Sequence, residues 1–415
     1  MNNNSRATNP ESRVPTEYDI IIVGGGLVGA SLACALAGSC ARIAVVEAVP
    51  AQASDQPSYD DRGLALSVTS RNILDDIKVW QNLSAQACPI QSIHVTDRGH
   101  FGFVRLCAAD INADVLGYVI TARVLGRALN RVIAGHNNID VICPAHATGI
   151  RTATDGVTLE LSDAGKPVTL RCRLLVAADG AHSDTCRMLG VSVRSKDYGQ
   201  NAIIANISTE KPHNHIAYER FTDSGPLALL PLPDQRCKMV FTVRSAEAAA
   251  FLDMGDEQFL KTTQARFGRR LGKFTRVGAR KSYPLMLLEA EQQVLERTVL
   301  LGNAAHTIHP NGAQGLNLCL RDINALAACL IPVLADGMDP GDSALLEKYL
   351  SERLPDQRRI IRFSDGLASL FGEQQQLQVL ARNSGMILMD LVPVLKRKLL
   401  AVAMGIGGNR GAIAR

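Results

Sequence analysis

Residues 18–47, YDIIIVGGGLVGASLACALAGSCARIAVVE, restrict what this chain can become more than any other stretch. Asp19 to Val23 is short, nearly all apolar and rich in β-branched residues, which predicts a strand buried in a parallel sheet. Gly24, Gly26 and Gly29 follow as G-x-G-x-x-G. The first suits a tight turn, the second lets backbone approach a pyrophosphate, and the third lets helix pack on strand. Leu27 to Ala37 then predicts a small-residue helix whose N-terminal N–H groups and dipole favour that pyrophosphate. A second strand, Arg42 to Val46, ends at Glu47, a carboxylate placed to accept from ribose hydroxyls. Three glycines at this spacing are weak evidence alone. Strand, glycines, helix, strand and terminal acid within ~30 residues are strong evidence for a dinucleotide site.

A chain of 415 residues exceeds one usual core, so two domains, or one with a large insertion, are expected. Net charge is only +4 and no basic run is interleaved with aromatics, which argues against nucleic acid. Ten cysteines are scattered without C-x-x-C or a zinc-like spacing with histidine, the usage of reduced thiols in a cytosolic protein. Residues 1–17 are polar, lack an apolar h-region and read as a flexible tail rather than a signal peptide. The most apolar stretches, Ala325 to Ala335 and Leu388 to Met404, are short or broken by proline and lysine. A spanning helix is therefore not expected, while peripheral contact with a membrane stays open.

Beyond Glu47 comes a polar loop, Ala51 to Asp61, then helical spacing at Ile73, Leu74, Ile77 and Trp80. Ser92 to Thr96 and Phe101 to Leu106 alternate like strands around a turn at Asp97-Arg98-Gly99. Ala122 to Ile133 predicts a helix; Val141 to Ile150, Val157 to Leu161 and Arg173 to Ala178 predict strands, the last buried. From Val193 to Phe241 several extended segments separated by turns predict an antiparallel sheet inserted between parallel-sheet motifs. Helical patterns at Ala246–Leu252 and Asp256–Phe267, strand-like segments up to Leu288, a short apolar strand Thr298 to Leu301 and a mostly helical remainder complete the chain.

Two further strand ends carry polar residues beside glycine: Asp179-Gly180 and Gly302-Asn303. Ligands sit at carboxyl ends of strands in doubly wound sheets, so a cofactor long enough to touch several strands fits, FAD better than NAD alone. Each pair taken singly is equally an ordinary turn. GGGLVG with Glu47, ADGAHSDTCR and GNAAHTIHPNGAQGLNLCLRD are similar, in order and spacing, to the three fingerprints of the para-hydroxybenzoate hydroxylase-like flavoprotein monooxygenases. HP–x4–GLNLCLRD resembles the signature of their ubiquinone-biosynthesis hydroxylases, usually HPxAGQGxNxGxxD. VTDRGHFGFVRL, YERFTDSGPLALLPL, FGRRLGK and Tyr283-Pro284-Leu285 resemble the members acting on polyprenyl-methoxyphenols. The resemblance runs from about Tyr18 to the C-terminal helices.

Position by position, the resemblance implies that Gly24, Gly26 and Gly29 hold the pyrophosphate and Glu47 the adenosine ribose. Arg62 and Arg123 correspond to arginines near the flavin or its phosphates. Asp179, beside Gly180, meets the diphosphate-ribityl region, and Asn303, after Gly302, stands where the wider family mostly has Asp. Pro310 and the loop Gly312 to Asn317, with Gly315 and Leu316, lie along the isoalloxazine and offer backbone N–H groups to its pyrimidine edge. Three departures bear on flavin binding: Asn303 brings no charge, Ala313 stands where the pattern has Gly, and Cys319 replaces a glycine early in the last helix. If the Ala313 position needs φ > 0, Gly312 next door is placed to take that role.

His306 and His309 are three apart, but no third ligand stands near and Pro310 favours a loop, so no metal is expected. His309 beside the flavin reads either as an electrostatic or proton-relay group or as structural. His213 and His215 read as solvent-facing. The run Lys396, Arg397, Lys398 reads as a solvated face, with an interfacial anchor as the sharper alternative. The apolar rows of PLALLPL read as core, with one face available to a substrate.

The expected fold class is α/β: a discontinuous, doubly wound (Rossmann-like) FAD domain with an inserted antiparallel-sheet substrate domain and C-terminal helices. Segments 18–90, 115–190 and 292–340 are assigned to FAD, 91–114 and 191–291 to substrate, and 341–415 to the helical region. By the resemblance, reduced FAD and O2 give an electrophilic C4a-hydroperoxide that hydroxylates a polyprenyl-methoxyphenol in ubiquinone biosynthesis. NAD(P)H binding transiently, or a redox partner, supplies electrons, since no second G-x-G-x-x-G occurs. Implied partners are the phenol, O2 and other ubiquinone-biosynthesis proteins, with a homo-oligomer compatible. The implied place is the cytoplasm, the inner membrane face included. A flavin hydroxylase or reductase for another phenolic or isoprenoid substrate, and a non-enzymatic binding protein that kept the fold, carry the same fingerprints. A plain NAD-dependent dehydrogenase is disfavoured by the two later motifs.

Overall fold

The strand Glu17–Val23 lies inside an eight-stranded sheet in the computed structural model, which describes residues 16–50, 62–163, 165–372 and 376–405. The expected tail, up to residue 15, and the loop Ala51 to Asp61 lie outside the described residues. Ile43–Val46 and Lys166–Ala177 flank the strand on either side, both parallel to it. Ile139–Ile142 and Thr298–Leu300 extend the parallel order outward. Both faces are covered, which is why the strand reads as an unbroken apolar run. Ile20 and Ile22 join the core under the helices Leu27–Leu36 and Gln314–Ala335. Ile21 and Val23 join a second core against the hairpin Ala145–Ala153 and Gly156–Asp163.

Gln314–Ala335 is 22 residues long and apolar enough to cross a membrane by length and composition. Here Leu318, Ile323, Leu326 and Leu330 are sealed in the core instead, so its hydropathy reflects a helix covered on several sides.

The second sheet has nine strands. Its spine is Val193–Thr209, paired antiparallel with Arg236–Arg244 on one side and Lys281–Ala290 on the other. Gly225–Leu232, Ile216–Thr222, Ser92–Asp97 and Phe103–Cys107 follow in order. Alternation sets its two faces. Ile203, Leu229, Met239 and Phe241 are sealed beneath the helices Ala248–Asp253 and Asp256–Phe267. The other face looks toward Gly63–Ser67, which forms a small sheet with Gly117–Thr121 and Cys88–Ile90. Lys238 Nζ joins the two sheets by donating to the Gly63 carbonyl oxygen.

Several expectations change. Val141 to Ile150 is two strands, Ile139–Ile142 and Ala145–Ala153, because Pro144 interrupts the ladder. The buried strand Arg173 to Ala178 is only the parallel end of Lys166–Ala177, whose polar first half pairs antiparallel at the sheet surface. His213 is buried rather than solvent-facing. Its Nε2 donates to the Leu232 carbonyl at 2.9 Å while Nδ1 accepts from the His215 N–H at 3.1 Å, and burial pushes its pKa down. Lys396 does not sit on a solvated face: its Nζ lies 3.3 Å from Asp390 and its side chain is 14% exposed. Sequence offers little sign of either enclosure, since the Leu232 carbonyl is backbone and the second carboxylate near Lys396, Asp110, is remote.

Candidate functional site

Three chain segments meet at the carboxyl edge of the parallel sheet, and glycine permits each meeting. Gly24 has φ +102°, and a Cβ there would stand 2.5 Å from the Ala178 carbonyl oxygen and 2.8 Å from Asp179 N. Gly29 allows the first helix to close on its own turn, since a Cβ would collide with the Gly24 carbonyl oxygen. Gly302, at φ +65°, presses on the same helix, where a Cβ would come within 2.8 Å of Val28. The first helix has no side-chain cap at Gly26, which leaves its first N–H groups for an acceptor.

Glu47 closes the other side of this turn. Its Oε2 accepts from the Gly25 N–H at 2.6 Å and Oε1 from the Val49 N–H at 2.8 Å. The carboxylate therefore braces the glycine turn. Charge-assisted bonds of this kind are worth about 1.5–3 kcal/mol each. Glu47→Ala is expected to weaken FAD retention roughly 10- to 100-fold, read by flavin fluorescence on dilution. Full loss of turnover at full FAD occupancy would contradict this role.

Asp179 carries the sharpest sign of a missing partner. Its Oδ2 accepts from the Thr185 N–H at 3.0 Å, whereas Oδ1 is buried with no hydrogen-bond partner. A buried carboxylate oxygen is costly unless a donor meets it, and a ribityl hydroxyl is a donor where a phosphate is not. Gly180, at φ +92°, turns the chain away immediately after it. Asn303 is exposed just past Gly302, with its amide free of any charge to repel or attract. These residues fit a long dinucleotide with a polyol chain.

The loop from His306 to Asn317 is held from behind. His306 Nε2 lies 2.9 Å from Asp322 Oδ2, both sealed, and Asp322 Oδ1 takes the Arg353 Nε–H at 2.6 Å. Asp356 joins Arg353 to Arg321, making one buried ion network. Burial would raise the Asp322 pKa, but the His306 bond and the Arg353 charge outweigh it and hold the carboxyl below its usual range. Neither His306 nor its neighbours make a metal-binding cluster among the described residues. His309 is buried, its ring edge-on to Tyr198 at 4.9 Å and its carbonyl held by the Ser364 hydroxyl. Pro310 is exposed at the entry to the glycine turn.

Gly312 at φ 68° and Ala313 at φ 53° are both left-handed, so the glycine did not relieve its neighbour. Left-handed alanine costs roughly 1–2 kcal/mol. Ala313→Gly is therefore expected to raise stability by about 1 kcal/mol, offset in part by glycine's own entropy, measured by denaturant unfolding. Gly315 and Leu316 form the first turn of Gln314–Ala335, which lacks a side-chain cap and so presents backbone N–H groups. The Asn317 side chain is already occupied. Its Oδ1 accepts from the Ser67 N–H and its Nδ2 donates to the carbonyls of Ala65 and Ala313. It staples this loop to Gly63–Ser67 rather than reaching a ligand itself. Cys319 is sealed in the core one turn on.

Arg62 stacks on the Tyr283 ring at 5.0 Å, and its carbonyl accepts from the N–H of Ala122, next to exposed Arg123. This strand faces the nine-stranded sheet, whose Leu230 packs in one cluster with Ala65. On that side the sheet presents Ile204, Val240, Ala228, Leu230 and Glu219, all half-buried, while alternate residues of the same strands are sealed. Glu219 escaped the sequence reading, although an acid at an inward position of IAYERF, between Ala217 and Phe221, breaks the apolar alternation and was a usable signal. The Asp322 network was legible only as a lone D ending GLNLCLRD.

Comparison with known proteins gives the family and the fold. A family model described as FAD binding domain matches residues 17–364. The ubiquinone hydroxylase UbiL of Rhodospirillum rubrum is 36% identical over 93% of this chain and 89% of its own. The 3-demethoxyubiquinol 3-hydroxylase of Escherichia coli is 31% identical over 94% of this chain and 99% of its own. In fold, the p-nitrophenol 4-monooxygenase PnpA from Pseudomonas putida DLL-E4 superposes with a TM-score of 0.81 at 18% identity, over 95% of this chain and 100% of that one.

Proposed function

Because this chain belongs to the family of FAD-dependent monooxygenases that includes the ubiquinone-biosynthesis hydroxylases, we propose that it hydroxylates the ring of a polyprenyl-methoxyphenol. The observation that carries this reading is the sheet face formed by Ile204, Val240, Ala228 and Leu230, apolar and half-buried, on the side of the strand that Asn317 ties to the glycine turn. An apolar face beside a flavin ring suits a prenylated aromatic and excludes water from a reactive oxygen. When bound, FAD supplies the electrophilic oxygen from O2.

The chain's own residues hold and orient. Gly24, Gly26 and Gly29 take the pyrophosphate, Glu47 the adenosine ribose, and Asp179 and Asn303 the ribityl hydroxyls. Arg62 and Arg123 flank the flavin and its phosphates. Backbone N–H groups from Gly312 to Asn317 meet the ring edge, where fixed dipoles favour negative charge on reduced flavin. Segments 18–90, 115–190 and 292–340 are assigned to the cofactor, and 91–114 and 191–291 to the substrate. Electrons come from NAD(P)H or from a redox protein.

The test is aerobic incubation of FAD-loaded protein with a reduced electron source and a polyprenyl-methoxyphenol. Hydroxylated product is expected. None, with FAD fully bound, sinks the substrate reading.

Delivery of so apolar a substrate fits contact with a membrane surface at the turn between the helices Gln376–Leu391 and Pro393–Ala403. There Leu391 is 71% exposed, with Leu388 and Val394 beside it and exposed Arg397 and Lys398 following. Apolar and basic groups side by side suit an anionic interface. Co-sedimentation with vesicles containing anionic lipid is expected, and Leu391→Glu is expected to reduce it several-fold. Equal binding by that variant points to another surface.

A further inference from the structure

We propose that Glu219 is the acid–base group of the substrate site, taking the phenolic proton as the ring is hydroxylated and returning it as the ring becomes aromatic again. The proposal rests on the reading of this chain as a phenol hydroxylase.

The placement follows from register. Glu219 lies opposite Ala228 on one side and Val95 on the other, and shares its face with Ala217 and Phe221. Ala217, Val95 and Leu230 of that face pack in one cluster with Ala65. Asn317 binds the Ala65 carbonyl, so the carboxyl-bearing face is the one turned toward the glycine loop. Protein atoms surround the Glu219 carboxyl, yet the residue is only half-buried, so part of its side chain is left uncovered. Small Ala228 beside it leaves room for a ring.

No other group on or against this face answers the carboxyl among the described residues. Asp97 is bound by Arg382 and Asn383, and Lys238 by the Gly63 carbonyl. Asp390 takes the Arg105 N–H and Lys396, Asp365 takes Lys196 and Tyr198, and Arg62 lies on Tyr283. Left to burial alone, the Glu219 carboxyl is pushed up to about 7. That is the range in which a carboxylate both accepts and returns a proton at neutral pH. A carboxyl surrounded by protein atoms and without a donor is disfavoured as the anion, and a phenolic O–H is a donor that would meet it.

The balance is as follows. As the ring carbon forms its bond to the transferred hydroxyl, that oxygen's former bonding pair stays with the cofactor. The phenolic O–H pair moves into the C–O bond, leaving a dienone, and the proton goes to Glu219. The same ring carbon then loses its hydrogen as a proton to water, the C–H pair restores the ring, and the carbonyl oxygen recovers its proton from Glu219. Glu219 ends unchanged.

Two measurements on the FAD-loaded protein test this. With a geranylated methoxyphenol, Glu219→Gln is expected to form product roughly 100- to 1,000-fold more slowly, at unchanged flavin content and unfolding temperature. The active form is the carboxylate, so wild-type turnover rises with pH through about 7, and the variant should lose that limb. Separately, the oxidised wild type should bind the free phenol at least tenfold more tightly than its O-methyl ether at pH 8, a preference the variant lacks. Turnover within threefold of wild type, or equal wild-type affinity for phenol and ether, overturns the assignment. If the wild type forms no product, the substrate reading fails, while the phenol–ether comparison still decides for or against Glu219.

Discussion

Alanine at Gly29 is expected to strip the protein of FAD and to destabilise it by at least about 1–3 kcal/mol. The obstacle is backbone: the added Cβ meets the Gly24 carbonyl oxygen, with Ile22 Cγ2 3.0 Å away, so no side chain can rotate aside. Relief requires the first helix to lift from the strand, and that lift opens the turn that Glu47 and Ala178 brace. Flavin absorbance per chain after gel filtration, with thermal unfolding beside it, reads both effects. Gly180→Ala makes a contrast. Nothing lies within 4 Å of a Cβ there, so only its positive φ is strained. A Gly29→Ala protein with full flavin and wild-type stability contradicts the close packing of strand, turn and helix.

Asp322→Ala is expected to cost about 3–5 kcal/mol, because it leaves His306 and one face of Arg353 buried without the carboxylate they share. Exposed pairs such as Arg98–Asp223, whose Asp is 76% exposed, should fall within about 1 kcal/mol of wild type when broken. The sign with pH follows from the carboxylates. Asp322 sits below its usual range and Asp356 is held at about 2, burial being outweighed by Arg321 and Arg353. A depressed carboxyl stabilises the fold fully above its unfolded value near 4, and that stability is lost as pH falls toward about 2. The gap between wild type and Asp322→Ala in denaturant unfolding should therefore be widest near neutral pH and narrow as the pH falls below the usual carboxylate range. A gap that stays constant from pH 7 to pH 3 means the loss is one of packing, not of charge.

The network also explains why the glycine turn holds two consecutive left-handed residues. Arg353 and Asp356 anchor Asp322, Asp322 anchors His306, and Asn317 ties the far end to Ala65 and Ser67. Strain at Ala313 persists because both ends of the loop are fixed by groups outside it. Flexibility of this turn is thus constrained, as the proposed contact of its N–H groups with a flavin edge requires.

The dinucleotide unit was legible because everything it needs is within thirty residues: a strand sealed on both faces, glycines at collision points, an acid at the next strand end. Such features depend on φ/ψ sterics and short-range periodicity, which the order of residues encodes directly. The same holds for the antiparallel alternation from Val193 to Phe241. Misreadings arose where a partner was backbone or was remote: His213 under the Leu232 carbonyl, and Lys396 reaching Asp110 as well as Asp390.

Glu219 marks the boundary between the two kinds of knowledge. In IAYERF it is one acid in a strand-like run, and local chemistry goes no further than placing it on the same side as Ala217 and Phe221. Its shift toward neutrality arises from desolvation by atoms brought together from Ser92–Asp97, Gly225–Leu232 and the segments folded across from them. Desolvation depends on how much protein surrounds a charge, whatever its distance along the chain. Motifs can therefore be read from residue order, whereas the depth of a carboxyl is decided only when distant strands close around it.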